Sequence, residues 1–272
     1  MNSKKVVLVT GGSSGIGASI CKYLSTKGYV VYGTSRNATE DQHNGYYLTK
    51  LDVENSTSVK ECIQRIINIE GKIDVLINNA GVGIMGAVED SSENEILKAF
   101  NINVFGLVRT TQAVLPFMRK QNNGLIINIA SIAGHMGLPY RGFYSATKSA
   151  VHRITEAMRL EVSSFGINAC IVDPGDFKTN IGDNRVVSDK VKTGESVYTS
   201  ETTRIENLIN SEINKSLNAD IIGPFIYKII TSDNPKTYYR IGKFTQKLSV
   251  KLRALIGADL FAPILKSHFK MK

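Results

Sequence analysis

Tyr144 and Lys148 stand four residues apart in the run Tyr-Ser-Ala-Thr-Lys. On a helix that spacing stacks a phenol and an ammonium on one face. A phenol ordinarily loses its proton near pH ~10, and a nearby cation favours the phenolate and lowers that value. A tyrosine so placed can pass a proton to or from a substrate oxygen near neutral pH. An ordinary half-exposed helix face carries the same spacing, so the meaning of the pair rests on the rest of the chain.

A second group is Thr10-Gly11-Gly12-Ser13-Ser14-Gly15-Ile16-Gly17. Glycines let a backbone approach a pyrophosphate closely, and a helix N-terminus adds unpaired N–H groups and the positive end of its dipole. A tight turn is the plain alternative. The position after an apolar strand and before a helix, inside a βαβ unit, favours a dinucleotide site. The spacing Gly-x-x-x-Gly-x-Gly is one residue longer than the commoner fingerprint. About 20 residues on, an NAD site carries an acid for the ribose hydroxyls. Here the second strand ends Gly33-Thr34-Ser35-Arg36-Asn37, with no acid until Glu40. Arg36 can instead hold the extra phosphate of NADP through charge-assisted bonds, so NADP is expected over NAD. The alternative for Arg36 is a solvated loop residue.

These residues need a frame, and the hydrophobic pattern supplies one. Residues 4–10, 29–34, 46–51, 73–78, 125–130 and 168–173 read as strands, rich in Val, Ile, Leu and Tyr. Helices are expected at 56–69, at 93–118 with a break near Asn101, and at 143–165. Such alternation predicts an α/β fold: a doubly wound Rossmann-type parallel sheet with helices on both faces, in a single domain. The candidate residues fall where strands end, where ligands of these sheets bind. Beyond Asp173 the pattern changes. Residues 174–217 are polar with a weak helical period at Ile205, Leu208, Ile209 and Ile213, as in a binding segment. Residues 219–231 return to an apolar helix with Pro224 in its first turn or at a kink, and 238–241 could be a last strand.

At this point the chain resembles the short-chain dehydrogenase/reductase family. Thr10-Gly11-x-x-x-Gly15-x-Gly17 resembles its cofactor turn, with Ser13, Ser14 and Ile16 inside it. Leu51-Asp52-Val53 resembles its adenine contact, and Asn78-Asn79-Ala80-Gly81 the motif after its fourth strand. Asn103, Ser131, Tyr144 and Lys148 match its catalytic tetrad in order, and Pro174-Gly175-x-x-x-Thr179 is similar to its nicotinamide segment. Together these motifs span residues 10–179. The resemblance implies an NADP-dependent oxidoreductase interconverting a ketone or aldehyde and an alcohol. Tyr144 would move the proton, Ser131 would hydrogen-bond the substrate oxygen, Lys148 would also hold the nicotinamide ribose, and Asn103 would help position a water. Some NADP-dependent members carry a basic residue before the second glycine, where this chain has Ser14, so the case for NADP rests on Arg36. A homodimer or homotetramer through the two long helices is the family expectation. The competing function is an NADP(H)-binding regulator or scaffold, which would have no need of Ser131, Tyr144 and Lys148 together.

By the same resemblance residues 176–217 form a substrate lid. Phe177, Val186, Val187, Val197 and Tyr198, with Val82, Met85, Met136, Leu138 and Tyr140, suggest a mostly apolar cleft and a lipophilic substrate of steroid, retinoid or acyl-chain type. His135, four residues after Ser131, falls near the cleft; its default reading is a loop histidine.

Composition narrows the rest. The 272 residues are 42% hydrophobic and 21% charged, which is globular and not disordered. No apolar run approaches the ~20 residues of a membrane span, and the N-terminus reads as a strand and not as a signal peptide. Cys21, Cys62 and Cys170 lack metal-ligand spacing and fit a reducing, cytoplasmic setting; no metal is expected. The net charge of +9 is uneven: residues 236–272 carry nine basic residues against one acid. Within the tail, residues 243–272, Lys243, Lys247 and Lys251 recur every four residues beside Phe244, Leu248, Leu252, Leu255 and Ile256. This amphipathic basic helix has two readings. It packs on the domain with its basic side in solvent, or it binds anionic lipid at a membrane periphery. Nucleic acid is not expected, since no recognition module accompanies the charge.

Overall fold

Val6-Val7-Leu8-Val9 has no polar alternation, so a strand made of it must be covered on both faces. In the computed structural model, which describes residues 4–39, 42–43, 45–178 and 185–271, it forms β1 (Val6–Val9), buried at all four positions. Val6 and Leu8 face one side and Val7 and Val9 the other, the period of two of a strand.

The elements follow in chain order: α1 (Gly15–Thr26), β2 (Val30–Ser35), β3 (Gln42–His43), β4 (Tyr46–Lys50), α2 (Ser56–Glu70), β5 (Val75–Asn78), β6 (Ile84–Met85) and α3 (Glu93–Phe100). Next come α4 (Gly106–Gln121), β7 (Gly124–Ile129), α5 (Gly142–Glu161), β8 (Ile167–Pro174), β9 (Phe177–Lys178), β10 (Val186–Val187) and α6 (Asp189–Thr193). The chain closes with α7 (Thr199–Asn214), β11 (Leu217–Asn218), α8 (Ile222–Ile230), β12 (Tyr238–Ile241) and α9 (Phe244–His268).

The main sheet runs β12-β8-β7-β5-β1-β2-β4-β3. Its pairs are parallel except β3 with β4. Strand order reverses direction at β1, with β2 on one side and β5 on the other, and ligands of such sheets bind at that switch point. One face is covered by α2, α4 and α5 through Val59, Ile63, Val114, Met118 and Met158. The other is covered by α1 and α8 through Ile20, Leu24, Ile222, Ile226 and Ile229. The doubly wound α/β sheet expected from the sequence is therefore the observed fold. Cys21, Cys62 and Cys170 are buried and free, and burial raises each thiol well above its ordinary value.

The expected break near Asn101 is a π-helical turn, Asn101–Phe105, between α3 and α4. Helix α5 stops at Glu161, and a 3-10 turn continues to Phe165. The excursion after Asp173 holds α6 and α7, and its strands form two small sheets, β10 with the earlier β6 and β9 with β11. Pro224 sits in the first turn of α8. Helix α9 bends at Gly257, whose φ of 78° is left-handed. Its far end returns to the body, where Phe269 packs with Met85, Ile205 and Ile209. No helix among the described residues is long and apolar enough to cross a membrane.

Candidate active site

The glycine turn leaves the end of β1 at the switch point. Gly15 has a φ of +53°, and a Cβ on Gly17 would collide with the Gly11 carbonyl oxygen and stand 2.6 Å from Asn79 Nδ2. The turn is thus compact enough only for glycine. Helix α1 starts here with Ser14 as its N-cap, no side-chain cap bond and no acid in its first turn. Its first N–H groups and dipole end are left for an anion. Asn79 ties the turn to the end of β5: its Nδ2 donates to the Thr10 and Gly11 carbonyls at 2.9 and 3.1 Å. In return Thr10 Oγ1 accepts from the backbone N–H groups of Asn79 and Ala80.

A cavity of about 430 Å³ opens along these strand ends. Gly11, Ser13, Ser14, Gly15 and Ile16 line it, with Arg36, Asp52, Val53, Asn79, Ala80 and Gly81. Ser131, Tyr144, Lys148, Pro174 and Gly175 line it as well. Gly17 lies beneath the turn, and Thr179 falls outside the described residues. The glycine cradle, the uncapped helix start and this one continuous wall fit a dinucleotide. Arg36 is 64% exposed at its side chain and 3.9 Å from Glu54, a loose ion pair that leaves its guanidinium available. Asp52 Oδ1 accepts from the Glu54 N–H at 3.0 Å, which shapes the loop after β4.

Helix α5 turns Tyr144 and Lys148 inward, and both are buried. Lys148 Nζ stands 5.8 Å from the centre of the Tyr144 ring and donates to the Ile129 carbonyl at 3.1 Å. The ammonium is thereby moored to the end of β7, while Ser131, two residues further along, caps a short turn through Oγ and Ala133 N–H. Asn103 sits in the π-helical turn. Its Oδ1 accepts from Val82 N–H at 2.8 Å, and its Nδ2 donates to the Val82 carbonyl and to Thr147 Oγ1. It does not line the cavity; it clamps the β5 loop to α5 beside Lys148. π-Turns of this kind concentrate at functional sites.

Several polar side chains escape any sequence spacing. Asn78 and Asn128 bond each other at 2.9 Å under the site, and Thr110, Thr111 and Thr155 complete their bonds. Asp173, fully buried, accepts from His135 Nε2 at 2.8 Å and His152 Nε2 at 2.7 Å. Burial pushes its carboxyl up, but the two imidazole hydrogen bonds outweigh that and hold it below its ordinary 3.8. His135 closes the 3-10 turn Ile132–His135 and does not line the cavity. Its ring bonds Asp173. The ligand atoms of His135, His152 and Asp173 lie within 4.8 Å of one another, a cluster that the sequence spacing does not reveal. The distances are those of hydrogen bonds and not of two ligands spread around an ion.

The apolar cleft is smaller than the sequence suggests. Val82 and Phe177 line the cavity, but Met85, Leu138 and Tyr140 do not and pack into separate clusters, and Val197 is 86% exposed. Arg141 and Arg185, which sequence reading passed over, share the wall with Tyr144. Burial, then the charge of Arg141, lowers the Arg185 guanidinium from its usual range against the pull of Glu206.

Known proteins place this geometry. The short chain dehydrogenase family profile matches residues 5–189. A 3-ketodihydrosphingosine reductase of Bacteroides thetaiotaomicron is 40% identical over 98% of this chain and 99% of its own. A short-chain dehydrogenase from Streptomyces avermitilis has a crystal structure that superposes with a TM-score of 0.81 at 28% identity, covering 99% of this chain and 97% of that one. ElxO, solved with NADP bound, superposes at a TM-score of 0.70 with 28% identity, over 88% of this chain and 97% of its own. Sheet order, switch-point turn and match over two-thirds of the length agree, and the chain belongs to the short-chain dehydrogenase/reductase family of oxidoreductases.

Proposed function

We propose that the protein is an NADPH-dependent reductase of a lipophilic ketone of the acyl-chain kind. The observation that carries this reading is the burial of Tyr144 beside Lys148 on the same cavity wall as Ser131 and the glycine turn. A bound nicotinamide cofactor supplies the hydride. Ser131 Oγ donates to the substrate carbonyl oxygen and orients it. Tyr144 passes its phenolic proton to that oxygen as the alcohol forms, and accepts it in the reverse direction. The Lys148 ammonium favours the negative charge left on the phenol oxygen. Asn103 holds the β5 loop and α5 in register around the pair. The glycine turn and the start of α1 would hold the pyrophosphate, Asp52 and Val53 the adenine side, and Asn79 to Gly81 with Pro174, Gly175 and Thr179 the nicotinamide side.

Arg36 carries the choice of NADP. Arg36→Ala is expected to raise KM for NADPH roughly 10-fold and to leave KM for NADH near its wild-type value. Equal effects on both cofactors would reject the assignment. The substrate class is supported by the name of the Bacteroides relative and by Val82 and Phe177 in the wall. A panel of ketones followed by NADPH absorbance tests it; reduction of small polyol ketones alone would sink it.

The same reading puts the protein in the cytoplasm, where buried free cysteines stay reduced, and at a membrane surface. Helix α9 leaves Phe244, Leu248 and Leu255 on one face at 74%, 46% and 83% exposure. Lys247 and Lys251 flank that stripe, in the manner of an interfacial helix on anionic lipid. Co-sedimentation with phosphatidylserine vesicles is expected, weakened by salt and abolished by Lys247→Glu with Lys251→Glu. Binding that survives both changes would reject the α9 lysines as the contact, and no binding by the wild type would reject lipid contact altogether. Self-association through α4 and α5 is proposed from Phe105 and Leu160, exposed at 48% and 78%.

A further inference from the structure

Two guanidiniums at the reacting end of the cavity have no part in the chemistry above. Arg141 immediately precedes α5 and lies over the Tyr144 ring, its Cζ 5.0 Å from the ring centre. Among the described residues no carboxylate or other acceptor engages its guanidinium. Arg185 lies across Gly83, where an added Cβ would come within 3.2 Å of its Cγ. Its side chain is only 5% exposed, and its Nη1 bonds Glu206 Oε1 at 3.1 Å.

Charge does not balance on this wall. Glu206 answers one guanidinium, and Lys148 adds a third cation. The other acid near this end, Asp176, bonds the neutral Gln246 Nε2 at 2.6 Å and keeps its charge, so three cations stand against two carboxylates. Arg141 and Arg185 also disfavour each other, since the charge of Arg141 helps to lower the guanidinium of Arg185. Two like charges on one enclosed wall persist at a cost unless an anion joins them.

That anion is not the phosphate end of a dinucleotide. The glycine turn follows β1 and Arg36 follows β2, while Arg185 precedes β10, which pairs with β6 beyond β5. Arg141 stacks on the proton donor itself. The group these arginines await therefore arrives with the carbonyl.

We propose that Arg141, with Arg185 beside it, is the head-group site for the substrate, and that the ketone carries a carboxylate or phosphate within a few bonds of its reacting carbonyl. The inference rests on the carbonyl-reductase reading of the same cavity. The planar fork of arginine meets a carboxylate or phosphate with two parallel bonds. Such a grip would fix the ketone oxygen toward Tyr144 and Ser131. The compound 3-ketodihydrosphingosine bears an amine on the carbon beside its ketone, and a cation there would face Arg141. The wall thus selects a different head group on the same kind of chain.

The test compares kcat/KM, with NADPH, for a long-chain 3-oxo acid, its methyl ester and 3-ketodihydrosphingosine of matched length. Wild type is expected to prefer the acid. Arg141→Gln is expected to lose roughly 10- to 100-fold on the acid and far less on the ester, with Arg141→Lys between them. NADPH affinity, read by fluorescence titration, is expected to hold in both variants. Preference for the ester or the amine overturns the inference while leaving ketone reduction standing. A fall in NADPH affinity places the guanidinium on the cofactor and also overturns it. If none of the three is reduced, the reductase reading fails separately. Equilibrium binding of acid against ester to the NADPH-loaded protein then decides the head-group site, and equal affinities reject it.

Discussion

Tyr144→Phe is expected to lower kcat by roughly 10²- to 10⁴-fold while NADPH still binds. The substitution removes one oxygen and nothing else the fold uses. The ring keeps its place against Ile84, Ala99 and Ala133 and under Arg141. The phenol oxygen has no hydrogen-bond partner among the described residues, so its loss orphans no buried group, and the melting temperature should hold. Proton transfer is needed only as the alcohol forms, so kcat and kcat/KM should fall together and KM should move little. Turnover that survives would remove Tyr144 from the chemistry. A wild type that binds NADPH and reduces no carbonyl would favour a binding protein instead.

That prediction was legible in the sequence because its parts are local. Tyr144 and Lys148 share one helix face, the glycine turn is a continuous run, and the turn, Asn79 and Ser131 follow strands whose apolar pattern is plain. Six of the seven parallel strands follow from the same pattern and β12 only as a possibility, since most of them are covered on both faces and have no polar alternation to mislead. Two-residue strands such as β6 and β10 carry no period and could not be read. Nor could the convergence of Asp173 with His152 and His135, which stand 21 and 38 residues before it. The apolar cleft was overestimated for a related reason. Met85, Leu138 and Tyr140 pack into other clusters and not into the cavity wall, and composition does not say which surface an apolar residue joins. Arg141 and Arg185 belong to no motif, and only the fold brings them to Tyr144.

Removing the Asp173 carboxylate is expected to have the largest effect on stability. Asp173 is the penultimate residue of β8, His152 lies one turn past Lys148, and His135 ends the short turn that Ser131 caps. One buried carboxylate thus ties together the three segments that carry the candidate chemistry. The fit is close: a Cβ on Gly134 would stand 2.6 Å from His152 Cε1. Arg240 Nε, 3.9 Å away, adds a cation, and Tyr238 packs on both imidazoles while its hydroxyl bonds Glu156. Asp173→Ala leaves the imidazole N–H groups without their acceptor and should cost roughly 3–5 kcal/mol. The measurement is the denaturation midpoint at unchanged slope. Asp173→Asn keeps shape and one acceptor and should cost less, so the difference between the two isolates shape from charge. The pH dependence has a definite sign. The folded carboxyl titrates below its ordinary 3.8, so its contribution is full above that value and is lost as pH falls through the folded one. The gap between wild type and Asp173→Asn should therefore close only in acid, below the ordinary carboxyl range. A gap that already closes between pH 7 and 5 would mean that the carboxyl titrates above its ordinary value and would reject this sign. Both variants should also lose kcat/KM through loosened placement of Ser131 and Lys148, and a destabilised Asp173→Ala with unimpaired turnover would separate the junction from the reaction altogether.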